Sequence, residues 1–316
     1  MIKRTLYFGN ATYLRKKDDQ LIISVPESKG ENSVLEKSDN EKYEKRTNQN
    51  SVPLEDIGIV ILDHPQITIT HGVISALLEN NAAIITCDSS HLPVGLVLNL
   101  SGNQLQSEKF QFQIEASLPL RKQLWQQTIT AKIRNQAGLL KMRGKPFRNM
   151  LLWASKVRSG DPNNLEARAA AYYWKNVFRE DLNFFRDREG LPPNNLLNYG
   201  YAILRAIVAR SLVSSGLLST LGIHHHNRYN AYCLADDVME PFRPYVDDVV
   251  ATIIDNGEDF EELYSSTKRQ LLEIATKEII IEGKKSPLMV GVHRTTSSLA
   301  KCYAGEMRKI LYPEIL

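Results

Sequence analysis

The stretch from Gly222 to Pro244 is dense in side chains that bind metal ions or transfer protons. Its members of that kind are three consecutive histidines and three carboxylates: His224, His225, His226, Asp236, Asp237 and Glu240. If the segment from Tyr229 to Glu240 is helical, these carboxylates lie close enough in register to share a face. Carboxylates so placed repel one another unless a cation or a proton lies between them. The stretch therefore indicates a divalent cation held by an imidazole and carboxylates, with a solvated turn and a polar helix face as the alternative.

A further carboxylate, Glu166, lies at the start of the alanine-rich segment E-A-R-A-A-A-Y-Y-W. Its distance from Asn163 is that of a helix capping box, so a structural role is one interpretation. The small side chains of Ala169 and Ala170 follow on its own helix face and leave room for a ligand to approach. The sequence leaves the capping role and the functional role open.

The net charge of +3 is small, but the charges are distributed unevenly. From Ala116 to Gly160 there is no Asp or Glu, and these 45 residues carry ten cations. The cations are Arg121, Lys122, Lys132, Arg134, Lys141, Arg143, Lys145, Arg148, Lys156 and Arg158. A solvated helix normally mixes both signs, so this acid-free stretch favours binding to a polyanion over a merely basic surface.

Local sequence patterns divide the chain near Asn103. Before this point, short apolar runs such as I-G-I-V-I-L predict a small, mostly β domain over residues 1–103. A polar insertion from Glu27 to Ser51 is expected there as an exposed hairpin tip or a mobile segment. Residues 104–316 show the helical period and predict a larger, mostly α catalytic domain. The expected fold class is α+β, with the small N-terminal mostly-β domain first.

Within the second domain the patterns define several elements. Leu120 to Leu140 reads as one long amphipathic helix, with Trp125 as a core residue beside its apolar stripe. Asn195 to Gly216 is apolar nearly all round and should lie at the centre of the helical core. Glu278 to Val292 predicts a β-hairpin, and His293 to Leu311 predicts the last helix.

Two negative observations bound the class of protein. No apolar run reaches the length of a membrane span, and the N-terminal sequence lacks the apolar core of a signal peptide. The three cysteines are far apart and form no C-x-x-C pair, so neither a disulfide framework nor a zinc knuckle is indicated. These features predict a cytoplasmic protein that does not enter a membrane.

The run G-I-H-H-H-N-R-Y-N-A-Y-C-L-A-D-D-V-M-E-P-F-R-P is similar to the signature of the CRISPR-associated integrase family Cas1 (Cas-one). Three other segments resemble that family: P-L-E-D-I-G-I-V-I-L-D-H-P-Q-I-T-I-T-H, L-L-N-Y-G-Y-A-I-L-R, and E-A-R-A-A beginning at Glu166. Together the segments are spread over most of the chain. The residues of these segments are most similar to those of the type II systems, which work with Cas-nine.

The resemblance implies a set of site residues by motif. Glu166, His225 and Glu240 would be the metal ligands and catalytic residues, and Asp237 a further acidic catalytic position close to the metal. The implied cation is Mg²⁺ or Mn²⁺. This sequence departs from the family by flanking the matched histidine with His224 and His226, either of which could replace it in a variant.

The resemblance also implies the activity and the partners. The activity would be a metal-dependent DNA integrase or endonuclease of CRISPR spacer acquisition, which joins the 3′-hydroxyl ends of short DNA fragments to the repeat ends of a CRISPR array by transesterification in antiviral defence. The partners would be double-stranded DNA, a second copy of the chain bound through the β domains, a Cas2 (Cas-two) dimer, and, as further candidates, Cas-nine and other type II adaptation proteins. The DNA-binding residues expected from the basic segment are Arg121, Lys122, Lys132, Arg134, Lys141, Arg143, Lys145 and Arg148.

Three rival functions use some of the same residues. A zinc hydrolase acting on a small molecule would use His and carboxylates but needs no acid-free basic segment. A nuclease that only degrades nucleic acid would share the whole site and differ only in the absence of a joined product. A metal-free DNA-binding scaffold would keep every activity after replacement of Glu166 or Glu240.

Overall fold

A computed structural model of the chain describes residues 3–26 and 48–315. Its contacts divide the chain into two compact units, one covering Lys3–Leu98 (unit 1) and one beginning at Asn99 (unit 2). The sequence pattern placed the boundary near Asn103, and the structure divides the chain a few residues earlier, between Leu98 and Asn99. Strands dominate unit 1 and helices dominate unit 2, which confirms the expected α+β fold class.

Unit 1 is built from short strands and one nine-residue helix in its described part. In chain order the elements are β1 (Arg4–Phe8), β2 (Tyr13–Lys17), β3 (Gln20–Val25), β4 (Asn48–Pro53), β5 (Ile57–Leu62), β6 (Thr68–Ile69), α1 (His71–Glu79), β7 (Ala83–Cys87) and β8 (Pro93–Val97). They form two four-stranded sheets with the orders β1-β5-β7-β8 and β4-β3-β2-β6. The apolar strand β5 runs parallel to both β1 and β7. Its central place explains why its side chains are apolar without alternation.

The prediction of a polar insertion over Glu27–Ser51 is wrong at the C-terminal end of that range, where a strand begins at Asn48. Asn48–Pro53 forms β4, which pairs antiparallel with β3 and places Asn50 opposite Ile23. The side chains of this strand are mostly polar, but a neighbouring strand offers backbone partners whatever the side chains are. The rest of the predicted insertion, residues 27–47, lies outside the described residues.

Unit 2 is a set of packed helices with one hairpin. Its elements are α2 (Gln106–Ile114), α3 (Leu118–Met142), α4 (Arg148–Lys156), α5 (Leu165–Val177), α6 (Asn194–Ser214), α7 (Cys233–Met239), α8 (Arg243–Asp255), α9 (Ser265–Leu272), β9 (Glu278–Ile281), β10 (Lys284–Pro287) and α10 (Leu288–Tyr303). By length and composition alone α6 could cross a membrane, but 72% of its apolar window is buried inside the protein. Packing in the core therefore accounts for its apolar character.

The long helix α3 is the element that most of the site is built on. Ser117 caps its start, because its side chain accepts a hydrogen bond from the backbone N–H of Leu120 at 3.4 Å. The helix ends before Gly144, whose φ of +67° suits a residue without a side chain. Along its length α3 packs against α4, α5, α8 and the 3-10 turn at Glu240–Phe242.

The last elements differ from the sequence prediction in where strand becomes helix. The hairpin pairs β9 with β10 antiparallel, but it ends at Pro287. Leu288 to Val292 already belongs to α10, which ends at Tyr303 rather than continuing to Leu311. A short apolar run fits a buried helix as well as a buried strand, so periodicity alone does not separate them.

Candidate active site

Glu166 lies in the first turn of α5, but its side chain does not cap the helix. Asp161 accepts hydrogen bonds from the backbone N–H groups of Leu165 at 3.0 Å and Glu166 at 2.9 Å. Asn164 is the N-cap residue, and its side chain satisfies one more donor. The capping-box interpretation is therefore wrong, and the Glu166 carboxylate is available to another partner.

That partner is Lys132, whose ammonium contacts two carboxylates at once. Its Nζ donates a hydrogen bond to Glu166 Oε1 at 2.7 Å and lies 2.7 Å from Glu240 Oε2. The lysine side chain is only 11% exposed. Burial disfavours its charged form, but the charges of Glu240 and Glu166 outweigh burial, so the pKa of Lys132 is raised.

Glu240 is buried at the start of the 3-10 turn that follows α7. Its Oε1 lies 2.9 Å from Nε of Arg243. Burial alone would raise the pKa of Glu240, but the cations of Arg243 and Lys132 more than offset it, so that the pKa is lowered. The hydrogen bond from Lys132, whose Nζ lies 2.7 Å from Oε2, also lowers this pKa, and each carboxylate oxygen can accept more than one such bond. The site thus holds an ionised carboxylate with spare acceptor capacity.

Asp237 fixes the loop that carries the histidines. Its fully buried carboxylate contacts His225 Nδ1 through Oδ1. Through Oδ2 it accepts the backbone N–H groups of His224 at 2.9 Å and His225 at 3.4 Å. The side-chain hydrogen bond to Asp237 is the main reason why the pKa of His225 is raised. With Nδ1 engaged, Nε2 is the imidazole nitrogen left for a ligand.

Trp125 supports the same loop from α3. Its ring stacks on that of His224 with centroids 4.4 Å apart and planes 8° apart, and meets His225 edge-on at 5.4 Å. The indole is a core side chain, as predicted, with 1% exposure. Sequence analysis gave no sign that it also orients two histidines.

The structure places Glu166, Glu240 and His225 close to one another, with the Lys132 ammonium between the two carboxylates. Lys132 joins Glu166 and Glu240 directly, and the charges of both carboxylates act on His225. Within residues 3–26 and 48–315, no three His, Cys, Asp or Glu side chains are set closely enough to hold a metal ion as they stand. The donor types suit a hard divalent cation, and an ammonium lies at the point that the two carboxylates share.

Arg243, which contacts Glu240, is itself packed against a group of buried tyrosine and aspartate side chains. The guanidinium of Arg243 lies over the ring of Tyr201 at 4.7 Å. The hydroxyls of Tyr201 and Tyr173 both donate to Asp247, the latter at 2.7 Å. Burial raises the pKa of Asp247 to about 7 in spite of the two tyrosines, which lower it. Sequence analysis missed this group because its members are far apart in the chain.

The basic segment is divided between the surface and the interior. Lys122, Arg134, Lys141 and Arg148 are exposed, as a phosphate-binding surface requires. Lys132 and Arg143 differ from that prediction because protein carboxylates already neutralise them. Arg143 contacts Asp255 and lies 3.7 Å from Asp248, so it stabilises the packing of α3 against α8.

Comparisons with known proteins agree with the motif resemblance. A model of the family described as CRISPR associated protein Cas1 matches residues 6–283. The chain is 37% identical over 269 residues to a CRISPR-associated endonuclease Cas1 of Neisseria meningitidis serogroup C (strain 8013), covering 84% of this chain and 88% of that protein.

Two solved structures share the fold. A casposase bound to integration product has a TM-score of 0.76 at 20% identity, over 98% of this chain and 92% of that one. A Cas6-RT-Cas1--Cas2 complex has a TM-score of 0.69 at 21% identity, over 98% of this chain and 36% of that one. At these identities the likeness concerns the fold.

Proposed function

The chain belongs to the CRISPR-associated Cas1 family, and from this premise we propose that it is a metal-dependent DNA integrase of CRISPR spacer acquisition. The family and its curated relative identify it as a CRISPR-associated nuclease. The proposal concerns the reaction itself, which is strand transfer rather than hydrolysis alone. The observation that carries the phosphodiester chemistry is the meeting of Glu166 and Glu240 at the Lys132 ammonium, with both charges acting on His225. A hydrolytic nuclease would share this site, so the choice of strand transfer rests on the motif resemblance.

In the proposed reaction the 3′-hydroxyl of a short DNA fragment attacks a phosphodiester at the end of a CRISPR repeat. A new P–O bond forms to the attacking oxygen as the existing P–O bond to the leaving oxygen breaks. The proton lost by the attacking hydroxyl is balanced by the one gained by the leaving hydroxyl. One ester is exchanged for another, so the step needs no oxidant and no external energy source.

The donor set fits Mg²⁺ or Mn²⁺, and Glu166, Glu240 and His225 would hold the cation. When bound, such a cation supplies polarisation of the phosphoryl oxygen and stabilises the charge that develops on it. A nitrogen ligand beside two carboxylates inclines the site to tolerate Mn²⁺.

The surrounding side chains keep these ligands in the required state. Arg243 keeps the Glu240 carboxylate ionised in a buried place. Asp237 orients the imidazole of His225 and leaves Nε2 free. We assign Asp237 a positioning role, because both of its oxygens are already engaged by the histidine loop.

The exposed cations of the basic segment provide the DNA-binding surface in this proposal. Lysines and arginines that neutralise phosphates bind DNA without reading its sequence, and this binding weakens as salt rises. Lys122, Arg134, Lys141 and Arg148 are the residues we assign to it. Arg121 and Lys145 are half-buried and belong to its border.

The partners are part of the proposal as well. The casposase bound to integration product and the Cas6-RT-Cas1--Cas2 complex among similar structures support DNA and Cas2 as partners, and the dimeric state of Cas2 rests on the motif resemblance. A homodimer formed through unit 1, and cooperation with Cas-nine and other type II adaptation proteins, rest on the motif resemblance.

The test is an integration assay with the purified chain, its Cas2 partner, Mn²⁺, a labelled duplex with free 3′-hydroxyls, and a supercoiled plasmid carrying the cognate array. We expect labelled strand-transfer product with the wild type. The variants Glu240→Gln and His225→Ala should reduce it by about a hundredfold or more, while the DNA affinity measured without Mn²⁺ stays nearly unchanged. His226→Ala is the matched control, because that exposed imidazole has no contact with Asp237 in the described part of the chain.

Each other outcome points to a different function. Nicked or degraded plasmid without joined label would indicate a hydrolytic nuclease. Full activity of Glu240→Gln would indicate that the carboxylates hold no metal. Full activity of His225→Ala would show that a neighbouring histidine is the ligand.

A further inference from the structure

Lys132 stands where a cation shared by Glu166 and Glu240 would be expected. Its Nζ is 2.7 Å from one oxygen of each carboxylate, and these two residues lie on different elements of unit 2. The lysine is largely buried, which is unusual for this side chain unless it is paired. It therefore holds together two carboxylates that would otherwise repel each other.

The same point cannot hold the ammonium and a divalent cation together. Mg²⁺ binds carboxylate oxygens at about 2.1 Å, which is closer than the approach of the lysine nitrogen. A divalent cation bound by both carboxylates would overlap the lysine nitrogen. The positive charges of the cation and the ammonium would also repel each other strongly in a buried place. Glu240 Oε2 is paired with the Lys132 ammonium, so a divalent cation that takes this place replaces one cationic partner of the oxygen with another.

We propose that Lys132 is an internal cation that holds Glu166 and Glu240 in place until a divalent cation displaces it. The displaced ammonium then binds a phosphate of the DNA. This inference rests on the proposed function, because it takes a divalent cation between the two carboxylates as given. It makes Lys132 a positioning residue in the free protein and a substrate contact in the complex.

The displaced ammonium needs a new anionic partner, because an unpaired charge in a largely buried place is costly in free energy. The reacting DNA strand brings phosphates to this site. Metal binding and DNA binding should therefore favour each other. The metal releases the Lys132 ammonium for a DNA phosphate, and the phosphate neutralises the charge that the metal leaves unpaired. By linkage, DNA should tighten metal binding by the same factor by which metal tightens DNA binding.

The experiment measures Mn²⁺ affinity by the loss of the free-ion electron paramagnetic resonance signal, with and without a short DNA duplex. We compare the wild type with Lys132→Gln, which removes the charge and keeps a hydrogen-bond donor for Glu166. Without DNA, Lys132→Gln should bind Mn²⁺ about tenfold or more tightly than the wild type, because the competing charge is gone. Adding DNA should tighten binding in the wild type by a larger factor than in Lys132→Gln.

Two controls separate this effect from others. Lys301→Gln makes the same change at an exposed lysine on α10 and should leave Mn²⁺ affinity at the wild-type value. Lys132→Arg keeps the charge and can grip two carboxylates with its planar fork, so it should bind Mn²⁺ more weakly than the wild type. This variant also keeps the test decisive if Lys132→Gln does not fold.

The outcomes distinguish this inference from the function it rests on. Equal Mn²⁺ affinities in the wild type and Lys132→Gln, with binding lost in Glu240→Gln, would overturn only the role of Lys132. Affinity of Lys132→Arg at or above the wild-type value would do the same. No Mn²⁺ binding in any form, with DNA or without it, would overturn the metal site itself.

Discussion

Asp236 and Asp237 are adjacent in sequence, yet their carboxylates serve different partners. Asp236 Oδ1 accepts a hydrogen bond from Arg205 Nε at 2.7 Å, while Asp237 is paired with His225. Successive helix positions point about 100° apart, so adjacent acids face different neighbours. Asp236 is therefore paired with Arg205 and Asp237 with His225, while Glu240 contacts Lys132.

Replacement of Asp237 by Asn tests its positioning role. The amide keeps the shape of the side chain but removes the charge that orients the imidazole of His225. Partners of metal-binding histidines typically contribute about 10- to 100-fold to metal affinity or activity, and we expect Asp237→Asn to lower both by that amount. Mn²⁺ titration and the strand-transfer assay measure the two quantities.

Asp236→Asn is the matched control, because its carboxylate pairs with Arg205 and Asn230 and does not orient His225. It should keep metal affinity close to the wild-type value. Equal losses in both variants would show that the acids act only through the overall charge of α7.

At the scale of elements, α3 supports the site with side chains from one side of the helix. Trp125 orients the histidines, and Lys132, seven positions later, joins the two glutamates. Asn135 donates hydrogen bonds to the backbone oxygens of Pro241 at 2.7 Å and Pro313 at 2.9 Å. The residue after Glu240 is thereby tied to the same helix, which fixes the glutamate relative to the lysine.

The opposite side of α3 carries the DNA-binding prediction. Arg134 and Lys141 are exposed and lie seven positions apart, so they share a face. Arg134→Glu with Lys141→Glu should weaken DNA binding. It should also reduce the slope of log affinity against log salt by roughly 2, since two phosphate contacts are lost. Fluorescence anisotropy of a labelled duplex over a salt series measures the slope.

Melting temperature and Mn²⁺ affinity should stay unchanged in this double variant, because neither side chain reaches the buried site. An unchanged salt slope would remove this face of α3 from the DNA path. The exposed cations of α4 would then have to supply the contacts.

At the scale of the whole molecule, buried Asp247 couples the stability of unit 2 to pH. Its pKa is raised from 3.8 to about 7, mainly by burial. The groups that face it are the hydroxyls of Tyr201 and Tyr173 and the cations of Arg243 and Arg186, all of which lower this pKa. The folded protein binds a proton here that the unfolded chain has already lost. The free energy of unfolding should therefore fall as pH rises from about 4 to about 7, by up to about 1.4 kcal/mol per unit from this group.

Asp247→Asn should flatten that part of the stability curve. The amide stays neutral at every pH and can still bond to both tyrosine hydroxyls. All three tryptophans lie in unit 2, so tryptophan fluorescence during urea unfolding reports on this unit. A pH slope that persists in Asp247→Asn would assign it to other groups.

The sequence by itself determined the fold class, most of the elements and the stretches that carry the chemistry. Helices such as α3 and α6 follow from the spacing of apolar residues, which is a local property of the chain. The family resemblance likewise depends on local runs of residues. Where local signals compete, as at Leu288–Val292 and in β4, the sequence misassigned the element.

Only the tertiary structure decided how the charges are paired. Lys132 lies 34 positions before Glu166 and, since 240 − 132 = 108, 108 positions before Glu240. No local pattern records such partners, because an ion pair depends on which helix faces which. The sequence therefore predicted a lysine on the surface, and folding placed its charge between two carboxylates.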